Sequence, residues 1–420
     1  MNIIKEKGKL VWENIYEFLR WMALAVLTGL VVGGVGILFV KGLGFANQFR
    51  GGHPQIILAL PLAGLLIVFL YRVSNYGDDK GTNLVLSTLQ SKTQIPFRMA
   101  PLIFVSTILT HLFGGSAGRE GAALQLGGSI GNQLGRWFRL DEDDKKMMVM
   151  CGMSAAFSAI FGTPLAAVIF AMEVSSIGMM QYAAFVPCMC SALVASSFAL
   201  AMGCHAEAFA ITETVGFSIK PVLLIVVLGI LCAIISIVFC HVLHISGHWF
   251  KKHLVNPYIR VVVGSLVVIG LTILLRTDAY SGAGVNLIEE AFAGVAPKTA
   301  FLWKIIFTAI TLGVGFKGGE IVPSFCIGAT FGCLFGTLVG LPPSLCAAVA
   351  MVSVFCGVTN SPITSLLIGF EMFGFENMKF LLIGVAISYM LSGYSGLYSE
   401  QTIMYSKFKT GILRKEKGGR

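Results

Sequence analysis

Glu120 is the residue with the clearest chemical potential in this chain. It follows Gly114-Gly-Ser-Ala-Gly-Arg119 and precedes Gly121-Ala-Ala-Leu-Gln-Leu-Gly-Gly. Glycines permit close backbone approach and leave amides free, as an anion cradle needs. A carboxylate beside such a cradle competes with the anion while ionised and leaves it free when protonated. The plainer reading is an ion pair with Arg119. A second acid, Glu320, sits in Gly318-Gly-Glu-Ile-Val-Pro323. It would repel an anion if ionised, or cap the helix that starts after it. Asn83 and Ser361 are further hydroxyl or amide donors, or ordinary caps. Ten cysteines show no Cys-x-x-Cys and no Cys/His cluster at zinc spacing, so no metal or other cofactor is expected. His241, His244, His248 and His253 fit one helix face, where an interfacial role is the simpler account. No nucleophile–base pair marks an enzyme.

These residues need elements to hold them, and composition says which. Of 420 residues, 56% are hydrophobic and 12% charged, with mean hydropathy +0.82. Soluble domains carry about 25% charged residues. The apolar excess therefore faces lipid. Trp21–Val40, Met147–Met172, Tyr182–Cys204 and Pro221–Cys240 hold no charge, and each suffices for a helix crossing a core of about 30 Å. The first run is too long for a signal-peptide core and lacks a clear cleavage site. The expectation is an all-α polytopic membrane protein.

Net charge +9 lies largely in Lys5, Lys7 and Lys9 and in Lys407, Lys409, Arg414, Lys415, Lys417 and Arg420. The positive-inside rule then puts both termini in the cytoplasm, with the plasma membrane as host. These cations flank apolar helices, which argues against a nucleic-acid partner. Phe157-Ser-Ala-Ile-Phe-Gly-Thr-Pro164 parallels Phe355-Cys-Gly-Val-Thr-Asn-Ser-Pro362, and Glu173 falls on Glu371, an offset of 198. Gly118-Arg-Glu120 likewise parallels Gly318-Gly-Glu320. The division expected is a cytoplasmic segment 1–20, a repeat 21–203, a loop 204–220, a repeat 221–400 and a short basic tail 401–420 without a regulatory domain. Residues 141–146 read as a solvated turn. Paired Gly/Pro-interrupted segments in matching halves point to a transporter site, since unwound backbone at membrane depth must line a cavity or be buried.

Gly114 to Gly121 resembles the signature of the CLC family of chloride channels and proton-coupled anion exchangers. The resemblance continues through Ala155 to Glu173, Gly318 to Pro323 and Leu397-Tyr398-Ser399. It implies a CLC fold of two inverted-topology repeats and a homodimer with a pore in each protomer. It also implies that Glu120 is the gating glutamate and that the Tyr398 hydroxyl faces the central anion. The anion-binding set it implies is Thr82, Asn83, Arg119, Gly121, Glu320, Ile321, Val322 and Tyr398. Three departures direct the reading. Gly81-Thr82-Asn83-Leu84-Val85 replaces the usual Gly-Ser-Gly-Ile-Pro, although Thr82 keeps a hydroxyl. Glu320 replaces an apolar residue, as in the fluoride-exporting branch. Val174 stands where chloride/proton exchangers often carry a second acid. The function expected is fluoride export in exchange for protons; the alternatives are a chloride-selective exchanger and a passive anion channel of the same fold.

Overall fold

The computed structural model describes residues 2–77, 80–91, 93–205 and 208–409, and for residues 2–5 the backbone alone. The first half contains α1 (Asn2–Gly52), α2 (Leu60–Val73), α3 (Thr82–Gln90), α4 (Met99–Leu112), α5 (Glu120–Trp137), α6 (Glu142–Phe161), α7 (Pro164–Glu173) and α8 (Phe185–Ala201). The second contains α9 (Ile219–His253), α10 (Pro257–Leu275), α11 (Val285–Phe292), α12 (Ala300–Gly313), α13 (Ile321–Val339), α14 (Pro343–Thr359), α15 (Pro362–Phe373) and α16 (Met378–Leu391). Among the described residues, six helices are long and apolar enough to cross a membrane, and six shorter apolar ones accompany them.

The halves match element by element. α3 follows Gly81 at φ +56, and α11 follows Gly284 at φ +88, each opening on Gly-x-Asn-Leu. Those backbones are left-handed, a conformation glycine adopts without cost. The uncharged run 147–172 breaks at Gly162, which ends α6 in the left-handed conformation at φ +76, and Pro164 then starts α7. Asn360 and Pro362 repeat the break between α14 and α15. Helices pack through glycines. A Cβ on Gly127 of α5 would lie 2.1 Å from the Gly152 oxygen of α6, and one on Gly332 of α13 lies 2.2 Å from the Cys346 oxygen of α14. Small residues let membrane helices approach closely, where dispersion replaces the absent hydrophobic drive.

Two reciprocal caps lock the halves together. Glu173 accepts from the Ile363 and Thr364 amides at 3.2 and 2.9 Å and from the Thr364 hydroxyl at 2.6 Å, at the start of α15. Glu371 accepts from the Leu165 and Ala166 amides at 3.0 and 2.9 Å, at the start of α7. Each acid thus satisfies the free amides of the other half's helix. Their role is structural. Glu173→Ala orphans buried donors and is expected to cost roughly 1–3 kcal/mol. Glu371→Ala, at a more exposed site, costs less. Thermal unfolding in detergent should rank them in that order.

Three expectations change in detail. α1 runs unbroken through position 20, so residues 2–20 are its opening turns. Residues 141–146 start a helix instead of forming a turn, because the Asp141 carboxylate accepts from the Asp144 amide at 2.8 Å and acids fill the first turn. Residues 401–409 fold back. Thr402–Ile403 pairs in parallel with Ser176–Ile177, and Lys407 donates to the Tyr389 carbonyl at 2.9 Å. Arg414, Lys415, Lys417 and Arg420 lie outside the described residues.

Candidate functional site

The loops preceding α5 and α13 meet backbone to backbone. Gly118 donates to the Gly319 carbonyl at 2.7 Å, and Gly319 donates back at 2.8 Å. The contact demands glycine, since a Cβ on Gly319 would lie 2.5 Å from the Gly121 nitrogen. It brings the N-termini of two helices together from opposite halves. First-turn amides lack intrahelical partners, and their summed dipoles favour negative charge. Glu120 is the first residue of α5 and fully buried. Its Oε1 accepts from Arg119 Nε at 3.2 Å, and its Oε2 from the Arg119 amide at 3.2 Å.

Beside this junction lies a cavity of about 150 Å³ lined by Lys80, Thr82, Asn83, Gln125, Lys317, Glu320 and Tyr398, with other residues of the same loops. Thr82 donates to the Gly121 carbonyl at 3.4 Å and accepts from Gln125 at 3.3 Å. Three polar atoms at this cavity have no hydrogen-bond partner: Glu320 Oε2, Gln125 Oε1 and the Tyr398 hydroxyl. Buried polar atoms are nearly always satisfied, and each one left open costs about 1–3 kcal/mol. Three residues of one cavity thus each carry a polar atom without a protein partner.

Further cavities extend the line. Arg119 faces one of about 70 Å³ that also reaches Ser158, Ser196 and His205. Tyr398 borders a third, of about 310 Å³, with His241, His244, Ser399 and Gln401. Tyr398 is shared by the central cavity and the third, and Arg119, the neighbour of Glu120 in sequence, lines the first.

The second half carries a buried cation at a position matching the lining of the central cavity. α4 and α12 are displaced by 201 residues (99 to 300), which sets Lys304 opposite Ile103, a lining residue. Lys304 is fully buried and donates to Ser116 Oγ, the Tyr280 carbonyl and the Gly282 carbonyl at 3.0, 3.1 and 2.7 Å. Its ammonium touches the turn before α11, where a Cβ on Gly284 would meet Nζ at 3.2 Å. The second half thus places a buried cation beside the turn that corresponds to Gly81 and α3.

A sequence model described as voltage gated chloride channel matches residues 63–393. The chain belongs to the CLC family. It is 35% identical to the chloride/fluoride channel protein of Pseudomonas syringae pv. tomato, over 92% of this chain and 87% of that one. It is 23% identical to the H(+)/Cl(-) exchange transporter ClcA of Vibrio parahaemolyticus, over 94% and 91%. The crystal structure of a CLC-type fluoride/proton antiporter superposes with a TM-score of 0.89 at 35% identity, covering 92% of this chain and 99% of that one. A slow cyanobacterial Cl-/H+ antiporter gives 0.78 at 21%, covering 89% and 94%, a likeness of fold. This chain therefore has the all-helical CLC architecture of two inverted repeats.

Within that CLC frame, Thr82, Asn83, Glu320 and Tyr398 line one cavity, and Gly121 adjoins it. A Cβ on Gly121 would lie 3.3 Å from Glu320 Oε2 and 3.5 Å from Thr82 Oγ1. Asn83 Oδ1 accepts from the Glu400 amide at 3.2 Å, which ties α3 to the Tyr398 segment. Arg119 does not join them; it faces the 70 Å³ cavity beyond Glu120. The Ile321 and Val322 side chains are buried in the apolar core, leaving their backbone as the part that can meet an anion. Glu320 holds the cap position of α13, yet its side chain makes no capping bond. Ser361 donates to the Thr359 carbonyl at 3.3 Å, away from the cavity. Sequence reasoning missed Gln125, Lys317 and Lys304. Gln125 carried a signal, as the first strongly polar residue after Glu120 in an otherwise small and apolar turn.

Proposed function

We propose that this chain exports fluoride across the plasma membrane in exchange for protons, with Glu120 competing for the anion's seat. The observation carrying this reading is the set of unpartnered atoms on Glu320, Gln125 and Tyr398 around one cavity next to Glu120. Fluoride is small and a strong hydrogen-bond acceptor, so leaving water requires donors in return. Tyr398 supplies an O–H. Glu320 supplies another once protonated, since a carboxylic acid donates where a carboxylate only accepts. Gln125 supplies N–H with its amide turned over. The ammonium groups of Lys80 and Lys317 line the same cavity and favour anion entry. The 35% likeness to a fluoride/proton antiporter along nearly the whole chain supports the same assignment.

The energetics suit export. The neutral acid leaks inward through lipid, and its anion is trapped at neutral internal pH. One fluoride out for one proton in moves two charges inward, about 4.6 kcal/mol per 100 mV. At about 1.4 kcal/mol per tenfold, that sustains a gradient beyond a thousandfold. Glu173 is occupied in its cap and position 174 is valine, which leaves Glu120 and Glu320 as the acids at the site; in this reading Glu120 carries the transported proton and Glu320 donates to the anion. In this reading both termini are cytoplasmic, by the positive-inside rule. Residues 21–203 and 221–400 form the two repeats, and the protein works as a homodimer. A passive channel or a chloride-preferring exchanger is the second reading, favoured by the hydroxyl that Thr82 keeps beside Gly121.

Liposomes loaded with equal fluoride and chloride separate these readings. Fluoride should leave at least tenfold faster than chloride, with external protons taken up in step. Equal halide rates, or fluoride release with no pH change, would overturn the assignment.

A further inference from the structure

A larger cavity adjoins the central one and shares Leu312, Phe316 and Lys317 with it. It measures about 950 Å³ and opens between α2, the end of α9, the start of α10 and the loop after α12. Four cations border it: Arg72, Lys251, Arg260 and Lys317. Among the described residues lining it there is no carboxylate; Asp78 and Asp79, which follow the lining residue Gly77, lie outside them. Aromatic and backbone contacts hold three of the cations. Arg72 lies over the Tyr258 ring at 5.8 Å, Lys317 over the Tyr71 ring at 4.4 Å, and Arg260 donates to the Val314 carbonyl at 3.2 Å.

The rest of the lining is apolar, including Ile67, Val68, Val255 and Phe316. Val73 and Ile259, on the two helices that flank the opening, are 65% and 54% exposed, and Val255 is 77% exposed. We infer that this cavity binds the phosphate headgroup of an anionic phospholipid, with the acyl chains leaving between α2 and α10. Two features favour a lipid over a free phosphate. The volume exceeds what one phosphate fills, and the cations share the cavity with apolar surface that a soluble anion has no use for. Arginine suits the headgroup because its planar fork meets phosphate oxygens in pairs. Basic pockets between membrane helices commonly bind such headgroups, and the positive-inside rule sets these cations at the cytoplasmic boundary, where anionic lipids concentrate. The inference rests on the membrane fold and does not depend on which halide is carried. Lys317 also lines the central cavity, so the test leaves it intact.

The full-length protein is purified in detergent with equimolar phosphatidylglycerol and phosphatidylcholine, and retained lipid is read by native mass spectrometry. Phosphatidylglycerol should be retained preferentially. Each basic side chain near the headgroup contributes about fivefold, so Arg72→Gln/Lys251→Gln/Arg260→Gln should cut that preference at least tenfold. Lys251→Gln alone, at an exposed position, should cut it about fivefold without disturbing packing. Arg136→Gln/Arg139→Gln, far from the cavity, should leave it unchanged. The inference fails if the wild type retains both lipids equally, if the triple variant keeps its preference, or if the Arg136/Arg139 control loses as much. Displacement of phosphatidylglycerol by millimolar inorganic phosphate would assign the cavity to a free anion and also overturn it.

Discussion

Glu120→Gln, reconstituted in liposomes, is expected to take up fewer than about one proton per ten fluoride ions released, against the parity expected of the wild type. The argument is geometric before it is electrostatic. Glu120 is fully buried on the first residue of α5, between Arg119, which lines one cavity, and Gly121, which adjoins the central one. Glutamine keeps the volume, and its single amide oxygen can still accept from either the Arg119 amide or the guanidinium, while its NH2 group gives up the other contact. What it removes is the ability to bind and release a proton and the negative charge that rivals the anion. If coupling depends on that rivalry, the gate loses its proton while the cradle of glycines and helix N-termini remains. A structural role for the Arg119–Glu120 pair predicts something else: lower yield and thermal stability, with proton uptake still matching the fluoride that leaves. The pH electrode distinguishes the two, because uptake in proportion to fluoride would remove Glu120 from the coupling step. A thermal melt within a few degrees of wild type confirms that the comparison is between folded proteins.

The parts of this fold legible from sequence were those with local signatures. Runs without charge gave the long helices, and the glycine loops around Glu120 and Glu320 announced broken backbone. The repeated Phe-x-x-x-x-x-x-Pro blocks exposed the two halves. In the structure Phe325 of α13 bridges those blocks: Phe161 stacks on it at 5.5 Å, and Phe355 lies 5.0 Å from it. What stayed hidden depends on pairings across the halves. Glu173 and Glu371 matched in the alignment, but nothing in one chain segment says that each caps the other's helix. Lys304 drew no reading from sequence, because its partners Ser116, Tyr280 and Gly282 lie far from it along the chain. Arg119 lines a cavity that its sequence neighbour Glu120 does not, because a helix start turns consecutive side chains about 100° apart. The same rotation brings Gln125 back toward Thr82.

Glu320→Ile should lower the fluoride-to-chloride flux ratio by roughly ten- to a hundredfold. The estimate follows from one hydrogen bond to a charged group, about 1.5–3 kcal/mol, at about 1.4 kcal/mol per tenfold. Glu320 Oε2 is unpartnered, borders the 150 Å³ cavity and lies 3.3 Å from where a Cβ on Gly121 would stand. It makes no capping bond to α13, so the isoleucine leaves no helix amide newly exposed. An apolar wall offers nothing to fluoride in place of its water, and chloride, larger and more weakly hydrated, loses less there. Glu320→Gln refines the argument, because an amide retains an N–H donor without needing a proton. It should hold the halide ratio within about threefold while flattening the rise of fluoride flux with acidity that a protonated Glu320 would produce. A purely packing role would reverse this order, with isoleucine tolerated beside Leu312 and Phe316 and glutamine the more damaging change. An unchanged ratio in Glu320→Ile would move selectivity elsewhere in the cavity, to Tyr398 and Thr82.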